Sequence, residues 1–332
     1  MPSPYHTIAI TGASGHIGLV LCRELLAQGY AVRAQYHSET RGLEGLPLTL
    51  FKGDVMDPES LEALVNGCDA VIHAAARISI HGDPDGSVYR TNTEGTRNVL
   101  EACKQAGVKK LVHLSSVHAV MELPLDQPFD EHRPYKQEGS SRYDLSKAVS
   151  EQYLLDNTRS GSPETVIVRP SSVVGPMDAR PSEMGKALID MYLGKIPCLP
   201  QGGYDFVDVR DVTRSIIAAL EKGRPGEVYL LCGKYQRLKD LAAAAGKVTG
   251  KAMPRVTLPI SLLYTLLPLV KAYGRMLGAA PQFTRESLAA LEHGHPRMDA
   301  SKARTELGHT VRPIEETLKD FYDWQKQNKT LP

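Results

Sequence analysis

Residues His6 to Gly18 read H-T-I-A-I-T-G-A-S-G-H-I-G, and this stretch constrains the fold more than any other. An apolar run, Ile8-Ala9-Ile10, enters a turn carrying Gly12, Gly15 and Gly18 and leaves it as an apolar-periodic helix through Leu19, Val20, Leu25 and Leu26. Strand, tight turn and helix start follow in that order. The first glycine permits the turn, the second lets a diphosphate approach the backbone, and the third lets helix and strand pack closely. Free N–H groups at the helix start, with its positive dipole end, then suit phosphate. Three glycines alone also end strands for structural reasons; the flanking strand and helix point to a dinucleotide.

The rest of the chain fits a parallel, doubly wound α/β sheet with a smaller, mostly helical lobe towards the C-terminus. Further strands are expected at Ala31–Tyr36, Leu48–Lys52, Ala70–His73, Lys110–Ser115 and Thr165–Arg169, the last ended by Pro170. Helices fit at Pro58–Asn66, where Asp57 can cap and Pro58 suits the first turn, at Val88–Ala106 stopped by Gly107, and from Tyr143 to Thr158. The expected division is a dinucleotide-binding core over 1–170, to which 206–231 returns, and a substrate lobe from 171–205 and 232–332. With 332 residues the chain is long enough for both.

Composition excludes several classes. The net charge of +1 gives no basic field for nucleic acid. The five cysteines are widely spaced and read as reduced core residues rather than a disulfide framework or zinc site. No His, Asp and Glu cluster has metal-ligand spacing, so no metal is expected. The N-terminus lacks a basic region followed by an apolar signal core, which makes the cytoplasm the expected compartment. The apolar run Val256 to Val270 is shorter than a membrane span and holds two prolines, so stable membrane insertion is not expected. It reads as a core helix of the lobe, as the wall of an apolar substrate pocket, or as a membrane-surface contact.

Cofactor choice is read after the second strand, where an acid would bond the adenosine ribose and basic residues would favour a 2′-phosphate. The chain offers Gln35, Tyr36 and His37, with Arg33 and Arg41 nearby and Glu39 as the acid. NADP is expected over NAD, although both arginines can also be read as solvated surface charges. Asp54, in G-D-V, suits either the adenine amino group or a turn cap. The chemistry falls on Tyr143 and Lys147, which share one helix face at i and i+4. A close cation stabilises a phenolate, so Lys147 is expected to draw the Tyr143 pKa down. The pair follows Ser115-Ser116 at the carboxyl end of a parallel strand, where doubly wound folds place ligands. His118 and His81 are candidates for the cleft edge, against the commoner structural role of a lone histidine.

These residues resemble a known family, the extended short-chain dehydrogenase/reductases. The likeness rests on T-G-A-S-G-H-I-G (Thr11 to Gly18), G-D-V (Gly53 to Val55), H-A-A-A (His73 to Ala76), N-T-E-G-T-R-N-V (Asn92 to Val99) and L-S-S (Leu114 to Ser116). It continues through Y-D-L-S-K (Tyr143 to Lys147), R-P-S-S-V-V-G-P (Arg169 to Pro176) and F-V-D-V-R-D-V (Phe206 to Val212). The resemblance implies Tyr143 as acid/base, Lys147 on the nicotinamide ribose and Ser116 orienting the reacting oxygen, with Ser115 beside it. It implies a cofactor lined by Gly12, Ser14, Gly15, His16, Ile17, Arg33, His37, Asp54, Val55, Ala74, Ala75, Ala76, Asn92, Ser115, Pro170, Ser172 and Val173. The substrate is expected to meet Ser79, His118, Met184 and Tyr204. Val117 and His118 stand where nucleotide-sugar dehydratases carry an acidic pair, and Tyr204 where sugar epimerases often carry an arginine. V-R-A-Q-Y-H (Val32 to His37) and D-A-S-K-A-R-T-E-L-G (Asp299 to Gly308) look more like the dihydroflavonol-reductase-like and hydroxysteroid-dehydrogenase-like branch. The expected activity is therefore hydride transfer between the nicotinamide and a bulky, largely apolar ketone or aldehyde. A sugar epimerase that oxidises transiently and a non-catalytic NADP sensor are the alternatives. The resemblance also implies a homodimer through two helices, one of them bearing Tyr143.

Overall fold

The computed structural model describes residues 3–80, 82–158, 163–277 and 284–332. In the first half, strand and helix alternate: β1 (Thr7–Thr11), α1 (His16–Ala27), β2 (Ala31–Tyr36), β3 (Thr49–Lys52), α2 (Pro58–Val65), β4 (Ala70–His73), α3 (Ser87–Gln105), β5 (Lys110–Leu114), α4 (Arg142–Thr158) and β6 (Glu164–Pro170). The second half begins with β7 (Ser172–Val174), α5 (Glu183–Tyr192), β8 (Leu199–Pro200), β9 (Gly203–Asp208), α6 (Val209–Lys222), β10 (Val228–Leu231) and β11 (Lys234–Arg237). It ends with α7 (Leu238–Thr249), β12 (Thr257–Leu258), α8 (Ile260–Leu277), α9 (Arg285–Glu292), α10 (Ser301–Leu307) and α11 (Ile314–Gln327).

Seven strands form one parallel sheet in the order β10-β6-β5-β4-β1-β2-β3. Ile8, Ala9 and Ile10 of β1 are fully buried because helices cover both faces, which is why the strand reads as a continuous apolar run. The chain order reverses between β1 and β4, opening a crevice at the carboxyl ends of these strands. The turn at its mouth requires glycine. Gly12 has φ +70°, and a Cβ there would stand 2.7 Å from the Ala75 backbone; a Cβ on Gly18 would stand 2.2 Å from the Gly12 carbonyl oxygen.

Local chemistry sets the helices that flank the sheet. Asp57 caps α2 by accepting from the Glu59 N–H, with Pro58 in the first turn, and Gly107 with φ +68° follows α3. α6 packs on α1 and the sheet, and β10 pairs with β6 in the register Val228↔Ile167. The remaining strands make a three-stranded sheet, β11-β9-β7, and a short β12-β8 pair, in a lobe with its own core of Leu188, Phe206, Leu241, Leu318, Phe321 and Tyr322. In α8, Leu263 and Leu267 bury against Leu288 of α9, so this part of the apolar run packs within the lobe. Among the described residues no helix is long and apolar enough to cross a membrane.

Candidate active site

The crevice is floored by the first turn of α1. Gly15 is its exposed N-cap, no side chain caps the turn and no acid lies in it, so the leading amides face the crevice unshielded. That is the chemistry a diphosphate needs. Ser14 and Ile17 are half-buried beside it, and the His16 ring reaches the Pro176 carbonyl at 2.9 Å. Ala74 and Ala75 are half-buried and Ala76 is exposed along the β4 edge; Pro170, Ser172 and Val173 border the β6 edge.

Hydrogen bonds fix the floor. The Thr96 hydroxyl donates to the Asn92 carbonyl at 2.6 Å, so its oxygen accepts from His73 Nε2–H at 3.1 Å. His73 Nδ1 then accepts from the Thr11 hydroxyl at 2.7 Å, and the Thr11 oxygen accepts from the Ala75 N–H at 3.2 Å. Burial pushes the imidazole pKa down to about 3, so His73 is a neutral connector between β1, β4 and α3.

At the adenosine end, His37 Nε2 lies 3.2 Å from the Asp54 carboxylate, both well exposed, and Asp54 also accepts from the Met56 N–H at 2.9 Å. Val55 is buried under α3, where it fills the space beside Gly95. Arg41 is exposed and pairs with Glu39 at 3.3 Å. Arg33 does not belong to this end. Its guanidinium stacks over Phe51 at 4.5 Å and donates to the Ala63 and Asn66 carbonyls at the far end of α2. Since α2 runs back down the sheet, that places it at the opposite edge from the crevice. Asn92 is a second correction. Its side chain accepts from the Arg77 N–H at 2.8 Å and donates to the Arg77 carbonyl and the Ser146 hydroxyl, so its polar atoms tie α3 to a loop and to α4.

The expected reacting groups do come together. The single turn Val117–Ala119 after β5 is capped by Ser116, whose Oγ accepts from the His118 N–H at 3.2 Å. Tyr143, in the first turn of α4, is half-buried and hydrogen-bonded to Ser116. Burial pushes the phenol up to about 12; the Ser116 bond pulls against that and the Asp144 charge adds to it. Lys147 is 3 % exposed, and burial pushes its ammonium down to about 8 against the upward pull of Glu151. Its Nζ donates to the Leu114 carbonyl at 2.8 Å. The expected lowering of the phenol by Lys147 is thus not what the protein alone shows: burial raises it, and the one opposing pull comes from Ser116.

His118 stands edge-on to the Tyr143 ring, centroids 6.2 Å apart, with Nδ1 3.6 Å from the Asp144 carboxylate. Asp144 also lies 3.6 Å from the buried Lys136, which pairs with Glu122; Glu122 meets His293 at 3.4 Å. Sequence reasoning passed over Asp144, Lys136 and Glu122, although the charged residue inside Y-D-L-S-K was a visible signal for the first. The other two sit in a loop that closes through Met121 N–H to Pro134 C=O and Lys136 N–H to Ala119 C=O. The substrate candidates divide. The Ser79 hydroxyl donates to the Gly82 carbonyl at 2.7 Å, and Met184 is half-buried against the lobe core. Tyr204 is committed elsewhere, donating to the Ser287 carbonyl at 3.2 Å inside the lobe. His81 lies outside the described residues.

The NAD dependent epimerase/dehydratase family profile matches residues 8–232. The chain belongs to this family. "Sterol demethylase protein B" of Methylococcus capsulatus is 32% identical over 325 residues, 97% of this chain and 98% of that one. A "Putative dihydroflavonol 4-reductase" of Synechocystis is 31% identical, over 95% of this chain and 93% of its own. Among solved structures, that of gox2253 superposes with a TM-score of 0.85 at 31% identity, covering 98% and 99% of the two chains. The protein is thus an NAD(P)-dependent enzyme of the extended short-chain dehydrogenase/reductase type, with the Rossmann sheet that its sequence implies.

Proposed function

We propose that this family member is an NADP-preferring reductase of a bulky, largely apolar ketone or aldehyde. The observation that carries the reading is the Tyr143 phenol, held protonated by burial and hydrogen-bonded to Ser116, at the crevice that the uncapped α1 turn floors. Gly12, Ser14, Gly15, His16 and Ile17 would hold the diphosphate. His37, Asp54, Val55 and Arg41 would meet the adenosine end, and Ala74, Ala75, Ala76, Pro170, Ser172 and Val173 the nicotinamide half. A bound nicotinamide supplies the hydride that reaches the carbonyl carbon. As negative charge builds on the carbonyl oxygen, Tyr143 O–H donates its proton to it. Ser116 Oγ accepts from the His118 N–H, and its O–H, bonded to Tyr143 in the protein alone, would turn to hold that oxygen. Lys147 would place an N–H group on the ribose. The exposed His37 and Arg41 support the 2′-phosphate, and the names of the sterol- and flavonol-linked relatives support an apolar multi-ring skeleton. Residues 171–205 and 232–332 would form the substrate side, with Ser79, His118 and Met184 nearest to it.

The test is absorbance at the reduced-nicotinamide band, with NADPH and NADH, against a panel of apolar ketones, aldehydes and nucleotide sugars. Consumption of NADPH on a carbonyl compound, lost in Tyr143→Phe, is the expected result. A Tyr143→Phe protein that keeps most of its turnover refutes the assignment. No net consumption, with product formed from a nucleotide sugar, shows an epimerase instead.

A further inference from the structure

The face of the sheet beneath α4 carries polar groups where a buried parallel sheet is ordinarily apolar. His73 of β4 and His113 of β5 are register partners, both buried, with ring centroids 5.1 Å apart. Both nitrogens of His73 are used, as described above. Neither ring nitrogen of His113 has a hydrogen-bond partner among the described residues, and neither does Ser115 Oγ. The period of a strand puts His113 and Ser115 on one face, and His73, bonded to Thr96 of α3, shows which face that is. Lys147 comes down on this face from α4. Its Nζ bonds the carbonyl of Leu114, the residue between His113 and Ser115.

An ammonium has three donors, and one is spent on Leu114. A neutral imidazole has one acceptor and one donor, and a hydroxyl has both. Buried polar groups of this kind are ordinarily completed by a protein-bound water making about three hydrogen bonds. We propose that His113 is a positioning residue for Lys147: its neutral ring accepts, through one buried water, a hydrogen bond from the Lys147 ammonium, and Ser115 Oγ completes the cluster. The inference rests on the reading of Lys147 as a working ammonium. Burial, reinforced by the charge of Lys147, holds the His113 pKa well below its ordinary value, so the ring stays an acceptor over the working range. An acceptor favours the charged form of Lys147 and opposes the desolvation that weakens it. Among the described residues, the other groups that act on or are acted on by Lys147 are His73 on β4 and Glu151, with its partner Arg169, across α4 and β6; Tyr143 sits about one helical turn away on α4. α3 contributes the uncharged Asn92 and Thr96.

The decisive measurement is the titration of Lys147, followed by ¹³Cε chemical shift in the full chain labelled with [¹³C]lysine and assigned by loss of the signal in Lys147→Met. In His113→Leu the midpoint is expected to fall by about one pH unit, and His113→Gln, which restores an acceptor, is expected to return most of it. A midpoint unchanged in His113→Leu overturns the proposal. If that variant does not fold, a crystal structure of the wild-type chain at high resolution decides. A water bonded to both His113 and Lys147 Nζ supports the proposal, and no such water overturns it. Neither readout uses turnover, so a chain that reduces nothing fails the functional reading alone. An active reductase with an unmoved midpoint fails this inference alone.

Discussion

Replacing Glu151 by glutamine changes one charge at the bottom of the site and should be felt in two ways. Arg169 donates from Nε to both Glu151 oxygens at 3.1 and 3.0 Å, and from its terminal nitrogen at 2.6 Å; the pair is 1% and 0% exposed. The amide keeps the volume, so no cavity forms. What is lost is the counter-charge to a guanidinium that also meets the Glu131 carbonyl at 3.1 Å and Tyr135, which hydrogen-bonds it and whose ring lies 5.3 Å away. Breaking a buried pair by removing one partner costs about 3–5 kcal/mol, whereas replacing both by apolar groups is often near neutral. Equilibrium denaturation at pH 7 should therefore show Glu151→Gln destabilised by about that amount, and Glu151→Leu/Arg169→Met less destabilised than the single change. The second effect is on Lys147, which the Glu151 charge holds up against burial. Without it the ammonium titrates below about 8, and because the ammonium exists below its pKa, activity that needs it should fail at lower pH as the solution is made alkaline. A single variant costing under about 1 kcal/mol, or a double variant equal to the sum of its singles, would refute the electrostatic reasoning.

Gly18→Ala drives a Cβ to 2.2 Å from the Gly12 carbonyl oxygen. It should cost roughly 1–3 kcal/mol in a denaturant melt and at least a tenfold loss in NADPH affinity by fluorescence titration; unchanged binding would show that α1 shifts freely. Asp205 accepts from the Ser171 hydroxyl and the Gly233 N–H, and burial pushes its carboxyl up to about 6 from 3.8. A raised folded-state pKa contributes stability that is full below the unfolded value and is lost as pH rises to about 6. Asp205→Asn should flatten that part of the stability curve, and a wild-type curve already flat between pH 4 and 6 would count against it. Arg41→Ser should raise KM for NADPH several-fold and leave NADH unchanged; equal effects on both would place the 2′-phosphate elsewhere.

The first strand, its glycine turn and the Tyr143 helix were legible because each depends on chain neighbours alone: a run of apolar residues, a position that only glycine fits, two side chains four residues apart. β2 and β4 match their expected bounds to the residue, and Gly107 stops α3 as expected. The small sheet of β7, β9 and β11 was not read strand by strand, since β7 has three residues, too few to show alternation. Arg33 was misplaced by an avoidable step. At about 3.3 Å per residue, a side chain three positions before Tyr36 sits roughly 10 Å below the carboxyl edge, out of reach of a phosphate there.

Histidines 73 and 113 show what sequence withholds even when every strand is found. Each interrupts an apolar run, A-V-I-H and K-L-V-H-L, and each alone reads as a satisfied core histidine. Only the pairing of β4 with β5 in register makes them neighbours, and only α4 lying over that row brings Lys147 to it. Thr11 and Thr96 complete one ring, and nothing among the described residues completes the other. That difference between two like residues in adjacent strands cannot be written in either strand's own sequence. It arises from which side chains β1 and α3 happen to set against β4 but not against β5, and it leaves the unmatched imidazole beside the lysine of the site.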